Sequence, residues 1–336
     1  MHALSTRGGK LAVVTAAALV IVIGLAAGGV FDGWGGDTVK VGRPSAAVSS
    51  SPYGGVGAAT AKVLAQSIGA RPADSWGEIH AREFIDGAFR QYGYFPLLQE
   101  FIARGRGRRI HSANLIAVKE GETAKRLVVA AHYDSTDTGE GYLDNATGVG
   151  LLLEVAARVK QLSTPYTIVF VAFGAEEEGQ LGARHFLRTM SDVDREATIG
   201  MVNLESPAGG ETLTVMTRLG GATWLRDVAL SAADQLGIPL VTSPEGPGRP
   251  AGTVRLPADD EPFAADDVPT AVFSAVSWDD DGRRMTASAD GLPIWHTPRD
   301  TVRFVDAAFP GRVRTQLRQM SILLETLLTS ELEKRP

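Results

Sequence analysis

The stretch LVVAAHYDSTDTGEGYLDNATG, residues 127–148, decides the fold. Leu127 to Ala131 are apolar at every position, the pattern of a strand covered on both faces. The run stops at His132 and gives way to acids, hydroxyls and glycines that include Asp134 and Asp144. Directly after it, GVGLLLEVAARVKQL spaces its apolar residues for a helix. The pattern repeats downstream: IVFVAFGA runs into Glu176 and Glu177, and IGMVNL runs into Glu205. Apolar strands alternating with amphipathic helices imply a three-layer α/β/α sandwich around a mixed, mostly parallel central sheet. In open sheets of this kind the carboxyl ends of neighbouring strands line the ligand crevice.

Working outward, YFPLLQEFIA and SANLIAVKEG read as strands preceding this unit, and AATAKVLAQSIG and GEIHAREFIDGAFRQYG as opening helices stopped by Gly69 and Gly93. Beyond Glu205 the spacing predicts a strand at 211–217, a helix near 222–236, a Pro/Gly-rich loop over 237–262 and a strand at 268–276. A polar loop to 295 and a closing helix from about 306 to 333 complete the chain. The N-terminus differs. Residues 11–31 contain no charge and are long enough to cross a hydrocarbon core, with Arg7 and Lys10 ahead of them. By the positive-inside rule this predicts an uncleaved anchor with everything after residue 31 extracytoplasmic; a cleaved signal peptide, making the protein secreted, is the alternative. Residues 32–57 read as a flexible tether, and 58–336 as the catalytic domain.

Composition narrows the chemistry. A net charge of −6 and no long cationic run exclude a nucleic-acid partner. No cysteine is present, which removes thiolate metal sites and cysteine nucleophiles, so a metal would need His and carboxylate ligands. Three successive strands ending in ionisable groups place carboxylates in one crevice, where they repel unless a cation neutralises them. Of the six histidines, His80 and His185 fall in predicted helices, His111 at a strand start and His2 outside the fold. That leaves His132 and His296, and two imidazoles with several carboxylates suit an open catalytic zinc site, cobalt or manganese being possible with the same donors.

These residues resemble a known family, the co-catalytic two-zinc aminopeptidases of the secreted bacterial, glutamate carboxypeptidase and vacuolar-membrane types. AHYDS is similar to its H-x-D-S, YLDNATGVGLLLEVA to D-[DN]-x-x-G-x-x-x-x-L-E, GAEEEGQLGARHF to E-E-x-G-x-x-G-[SA], and WHTPRDT to H-T-x-x-D; DDEPFAADDVPTAVF is similar to a fifth motif. The resemblance implies a zinc-exopeptidase fold and two Zn²⁺, with His132 and Glu205 holding one ion, Glu177 and His296 the other, and Asp144 bridging. It further implies Glu176 as general base, Asp134 as the acceptor that orients His132, a non-proline cis peptide at Asp144–Asn145, and peptides as substrates. Glu178 matches no role and is expected to be solvated. Three positions depart from the pattern: Glu205 stands where Asp is usual, Trp295 where the peptidases carry Tyr, and Asp260 where a His is usual. Glutaminyl cyclases of the same fold carry Trp at that place, so a cyclase-like transferase is the alternative activity. A non-catalytic binding module on the same scaffold is the third reading.

Overall fold

The structure is a computed structural model, and it describes residues 51–246, 249–278, 287–289 and 291–332. The apolar run at 11–31 lies outside the described residues; among those described, no helix is long and apolar enough to cross a membrane.

Helix α1 (Gly55–Lys62) continues into a π-helical turn (Val63–Ile68), followed by α2 (Trp76–Gln91). Gly69 and Gly93 end these segments with φ of 84° and 83°, a conformation glycine adopts without strain. Strands β1 (Leu97–Gly105), β2 (Arg108–Lys119) and β3 (Thr123–His132) follow, then a π-helical turn (Tyr142–Ala146) that leads into α3 (Thr147–Val159). Next come β4 (Tyr166–Phe173), α4 (Leu181–Thr189), α5 (Asp192–Ala197), β5 (Thr198–Leu204), β6 (Thr212–Arg218) and α6 (Trp224–Gln235). The C-terminal part holds β7 (Leu240–Val241), β8 (Thr253–Val254), α7 (Asp260–Ala265), β9 (Thr270–Val276), the short β10 (Ser288–Ala289) and β11 (Leu292–Pro293), α8 (Val302–Ala308) and α9 (Arg312–Thr329).

The sheet runs β1-β2-β4-β3-β5-β9-β6-β7, with β8 also beside β6. Its centre, β4-β3-β5-β9, is parallel, and antiparallel pairs join it to β2 on one side and β6 on the other. This is the expected mixed sheet. Both faces of the parallel centre are covered, for a reason visible in β3. Leu127, Val129 and Ala131 point into the larger core beneath α1, α2, α3, α6 and α9; the alternate residues Val128 and Ala130 point into a second core with Phe186 and Leu187 of α4 and Phe263 of α7. Continuous apolarity along the strand is the sequence signature of that two-sided burial.

Three elements differ from the sequence expectation. The closing helix is two helices, because Pro310 removes a backbone donor and Gly311 turns the chain at φ 75°. The Pro/Gly-rich stretch 237–262 contains β7 and β8 and ends in the start of α7, all too short to show a period. Helix α5, built on DVDREA, buries no residue and so has no apolar stripe to read.

Candidate metal centre

The carboxyl ends of β3, β4 and β5 deliver their polar residues to one crevice. His132 is the last residue of β3, Glu176 and Glu177 follow β4, and Glu205 follows β5. Asp144 sits in the π-helical turn ahead of α3, and its peptide to Asn145 is cis. The Asn145 side chain ties that turn to the end of β5: Nδ2 donates to the Leu204 carbonyl at 2.8 Å, and Oδ1 accepts from Ser206 N at 3.0 Å and Gly148 N at 3.1 Å. Gly148 is obligatory in this packing, since a Cβ there would overlap the Asn145 amide oxygen.

Two ligand-like groups result. His132, Asp144 and Glu205 form one, and Asp144, Glu177 and His296 the other. Asp144 belongs to both. His132 Nε2 lies 3.3 Å from Asp144 Oδ1 and 3.3 Å from Glu205 Oε1; His296 Nε2 lies 3.0 Å from Asp144 Oδ2 and 3.0 Å from Glu177 Oε1. Two oxygens in this arrangement, Asp144 Oδ1 and Glu177 Oε1, are buried and form no hydrogen bond of proper geometry. One imidazole nitrogen facing two carboxylates at equal distance can serve only one of them with a well-formed hydrogen bond, because the ring has one proton to give at that atom. The arrangement is the pattern of donors around a cation: ligands about 2.0 Å from a tetrahedral zinc stand about 3.3 Å apart. The residues therefore fit a zinc pair by spacing and by donor type.

The electrostatics carry the same message. Burial drives the Glu205 and Glu177 carboxyls above the usual range, opposed by the two imidazoles. Burial would also raise Asp144, yet hydrogen bonding to His132 and His296 holds it below the ordinary carboxylate range. His296 is pushed up to about 10 by Asp144 and Glu177. Burial raises Glu176 well above its usual value, against the pull of His132.

Asp134 does something other than expected. Its carboxylate oxygen stands 3.7 Å from His132 Nδ1, whereas its own backbone carbonyl is 3.1 Å away and is the nearer partner of the ring. The carboxylate instead accepts Glu176 N at 2.9 Å and Glu177 N at 3.1 Å, fixing the turn that carries both acids. Glu178 is not solvated as expected: it is half-buried and accepts Arg108 Nη2 at 3.0 Å. His80, His111 and His185 stay out of both ligand groups, and His185 stacks on Phe101 with ring centroids 5.1 Å apart.

Four residues that frame the site carry no role in the sequence reading. Arg71 is fully buried, and its guanidinium donates at 2.8 Å to the carbonyls of Gly69, Tyr133, Glu140 and Gly141, clamping the loop between His132 and Asp144. Asp300, the last acid of the quoted WHTPRDT motif, accepts Leu143 N at 2.7 Å and Asp144 N at 3.2 Å. Asp260 forms a buried ion pair with Arg218, whose Nη1 also donates to the Leu256 carbonyl at 2.7 Å, so the position where a His is usual anchors α7 to the end of β6. Gln180 donates Nε2 to Glu176 Oε1 at 3.2 Å. Asp300 had a signal in its place in the motif and Asp260 in its departure from one; Arg71 acts across 60 or more residues on Tyr133, Glu140 and Gly141, and Gln180 stands at an unspecified motif position.

Comparison with known proteins follows the same lines. A model described as peptidase family M28 matches residues 114–321. The alkaline phosphatase isozyme conversion protein of Escherichia coli is 31% identical over 323 residues, covering 85% of this chain and 93% of that protein. The aminopeptidase YwaD of Bacillus subtilis is 27% identical over 201 residues, 58% of this chain and 40% of its own length. Among solved structures, a zinc aminopeptidase from Bacillus subtilis superposes with a TM-score of 0.69 at 16% identity, covering 84% of this chain and 97% of that one. The Porphyromonas gingivalis glutaminyl cyclase superposes with a TM-score of 0.66 at 17% identity, covering 82% and 98%; at these identities the structural likeness speaks for the fold. With a family model spanning more than half of the chain and a relative aligned along nearly its whole length, the chain belongs to peptidase family M28.

Proposed function

We propose that this M28 peptidase is a two-zinc aminopeptidase, with His132 and Glu205 on one ion, Glu177 and His296 on the other and Asp144 bridging. The observation that carries this reading is the Asp144 carboxylate, whose Oδ1 faces His132 and whose Oδ2 faces His296, so that one side chain is common to two three-residue groups. A zinc pair so held would supply Lewis acidity to a water and to the scissile carbonyl. Glu176 then has the position of the general base: it lies next to Glu177 but belongs to neither ligand group, and it is nearly buried in the crevice. It takes a proton from the attacking water and hands it to the departing amine. Asp134 keeps the turn rigid through the two amides it accepts, and Asp300 holds the backbone of Asp144. The aminopeptidase assignment draws on the activity named for the YwaD relative.

The residues before 51 complete the proposal: 11–31 as a membrane anchor, 32–50 as a tether, and the peptidase domain facing outward. Residues 54–57, expected in the tether, belong to the domain, because α1 starts at Gly55 and Gly54 N and Gly57 N donate to the buried Glu154 at 2.7 and 2.6 Å. Trp295 favours a second reading, a cyclase acting on N-terminal glutamine. Its ring packs against the main core and its indole N–H is buried without a hydrogen-bond partner.

The test is metal stoichiometry on the purified chain together with hydrolysis of a panel of aminoacyl chromogenic amides. Two zincs per chain, with turnover abolished and metal retained in Glu176→Gln, support the aminopeptidase. One zinc with cyclisation of N-terminal glutamine replaces it by the cyclase.

A further inference from the structure

The turn that joins β4 to α4 is held in an unusual way. Two residues other than glycine take left-handed backbone conformations on either side of the acid pair, Ala175 at φ 56° and Gln180 at φ 55°. Glycine would adopt either without strain. Gln180 is nevertheless buried, and its side chain points back into the crevice. Its Nε2 donates to Glu176 Oε1 at 3.2 Å, and its Oε1 accepts from Arg184 Nη2 at 3.2 Å. The two ends of the amide therefore have different partners of fixed type. A carboxylate accepts and a guanidinium donates, so only one orientation of the amide satisfies both. Arg184 is in turn fixed by donating Nε to the Gly179 carbonyl at 3.1 Å and by pairing with Glu261 of α7 at 3.4 Å.

We propose that Gln180 is a positioning residue for the general base: its amide, oriented by Arg184, commits Glu176 Oε1 and leaves Oε2 as the oxygen that meets the reacting water. The inference rests on the reading of Glu176 as base. The backbone of Glu176 is already fixed by Asp134 and by the amides of Gly179 and Gln180 that its carbonyl accepts. What remains free is rotation of the carboxylate, and that is the freedom the Gln180 amide removes. A misdirected carboxylate impairs turnover without impairing substrate or metal binding.

The experiment compares the full-length wild type with Gln180→Met, Gln180→Gly, Arg184→Leu, the double variant Gln180→Met/Arg184→Leu, and Glu176→Gln. Turnover of an aminoacyl chromogenic amide, zinc per chain and melting temperature are measured on each. Loss of a hydrogen bond to a charged group predicts a kcat about tenfold to a hundredfold lower in both Gln180 variants. KM and zinc content stay as in the wild type. Gln180→Gly, which relieves the left-handed strain, melts no lower than Gln180→Met. Arg184→Leu costs less than either and adds nothing in the Gln180→Met background. The proposal is overturned if the Gln180 variants keep wild-type kcat while Glu176→Gln is inactive, or if their loss appears only with lost zinc or raised KM. A Glu176→Gln variant that still turns over refutes the base assignment itself and this inference with it.

Discussion

Replacing Arg71 by methionine separates two opposed effects whose sizes follow from the geometry. The guanidinium donates to four carbonyls at 2.8 Å, three of them in the segment between His132 and Asp144. Hydrogen bonds from a charged donor contribute about 1.5 kcal/mol each at the low end, so the four together are worth about 6 kcal/mol. Against this stands the cost of burying the charge. Burial depresses the group from 12.5 to about 10, opposed by Asp300, Asp134 and Asp144, and a shift of that size corresponds to about 3 kcal/mol. Methionine removes both, which leaves a net destabilisation of about 3 kcal/mol. Arg71→Lys keeps a charge without the fork that reaches four oxygens, and recovers less than half of the loss. The assay is equilibrium unfolding in guanidinium chloride with a chelator present, which removes the contribution of bound metal from both proteins. A destabilisation below about 1 kcal/mol would mean that the carbonyls find water instead, and that Arg71 does not clamp the loop.

Other substitutions test neighbouring parts. Asp260→Ala strands the Arg218 guanidinium in a buried site and costs about 3–5 kcal/mol in the same assay; Asp260→Leu combined with Arg218→Met recovers most of it, and equal losses in single and double variants would refute the pairing. Gly148→Ala drives a methyl into the Asn145 amide and to within 2.5 Å of the Leu204 carbonyl oxygen, so it destabilises by more than about 2 kcal/mol and lowers zinc content; a folded, metal-replete variant refutes that packing. Glu78 is raised from 4.5 to about 7, mainly by burial, with Asp134 adding to it. The folded state therefore holds this proton more tightly than the unfolded chain. Its contribution to stability is complete below 4.5 and is lost as pH rises through about 7, by about 3 kcal/mol. Unfolding curves across that window should show wild type losing ground to Glu78→Gln, and a constant difference refutes the shift. Finally, stripping metal with a chelator lowers the melting temperature in wild type, and much less in His296→Ala.

The parts of this molecule that were legible in the sequence share a property: they repeat along the chain. Leu127 to Ala131 announce a two-sided strand because burial on both faces leaves no polar residue, and the same rule marks β4 and β5. His132, Glu177 and Glu205 stand out because each ends such a run, and the structure brings them together with Asp144 and His296. Residues whose work is done on distant backbone leave no such trace. Arg71 lies 62 residues from Tyr133 and binds only its carbonyl, so nothing in the local pattern marks it. The Asp260–Arg218 pair spans 42 residues and was visible only as a departure from a motif. Gln180 goes unread and the partner of the Asp134 carboxylate is misplaced for a related reason: sequence order gives adjacency to a functional residue, but not which atom of it is held.

The loop from Tyr133 to Gly141 is gripped from both ends of the domain, by Arg71 on one side and by Asp300, which takes Glu140 N on its own carbonyl at 2.8 Å, on the other. Both grips act mainly on the peptide chain: of the side chains along it, Ser135 Oγ accepts Arg71 N at 2.9 Å and Glu140 Oε2 accepts Val302 N at 2.9 Å, whereas Thr136, Asp137 and Thr138 bond only to one another. Residues 136–138 are therefore free to diversify, and a randomised library there should return mostly active clones, while neither anchor tolerates replacement. Selection on such a peptidase can rewrite residues 136–138 without disturbing the backbone that carries His132 and Asp144.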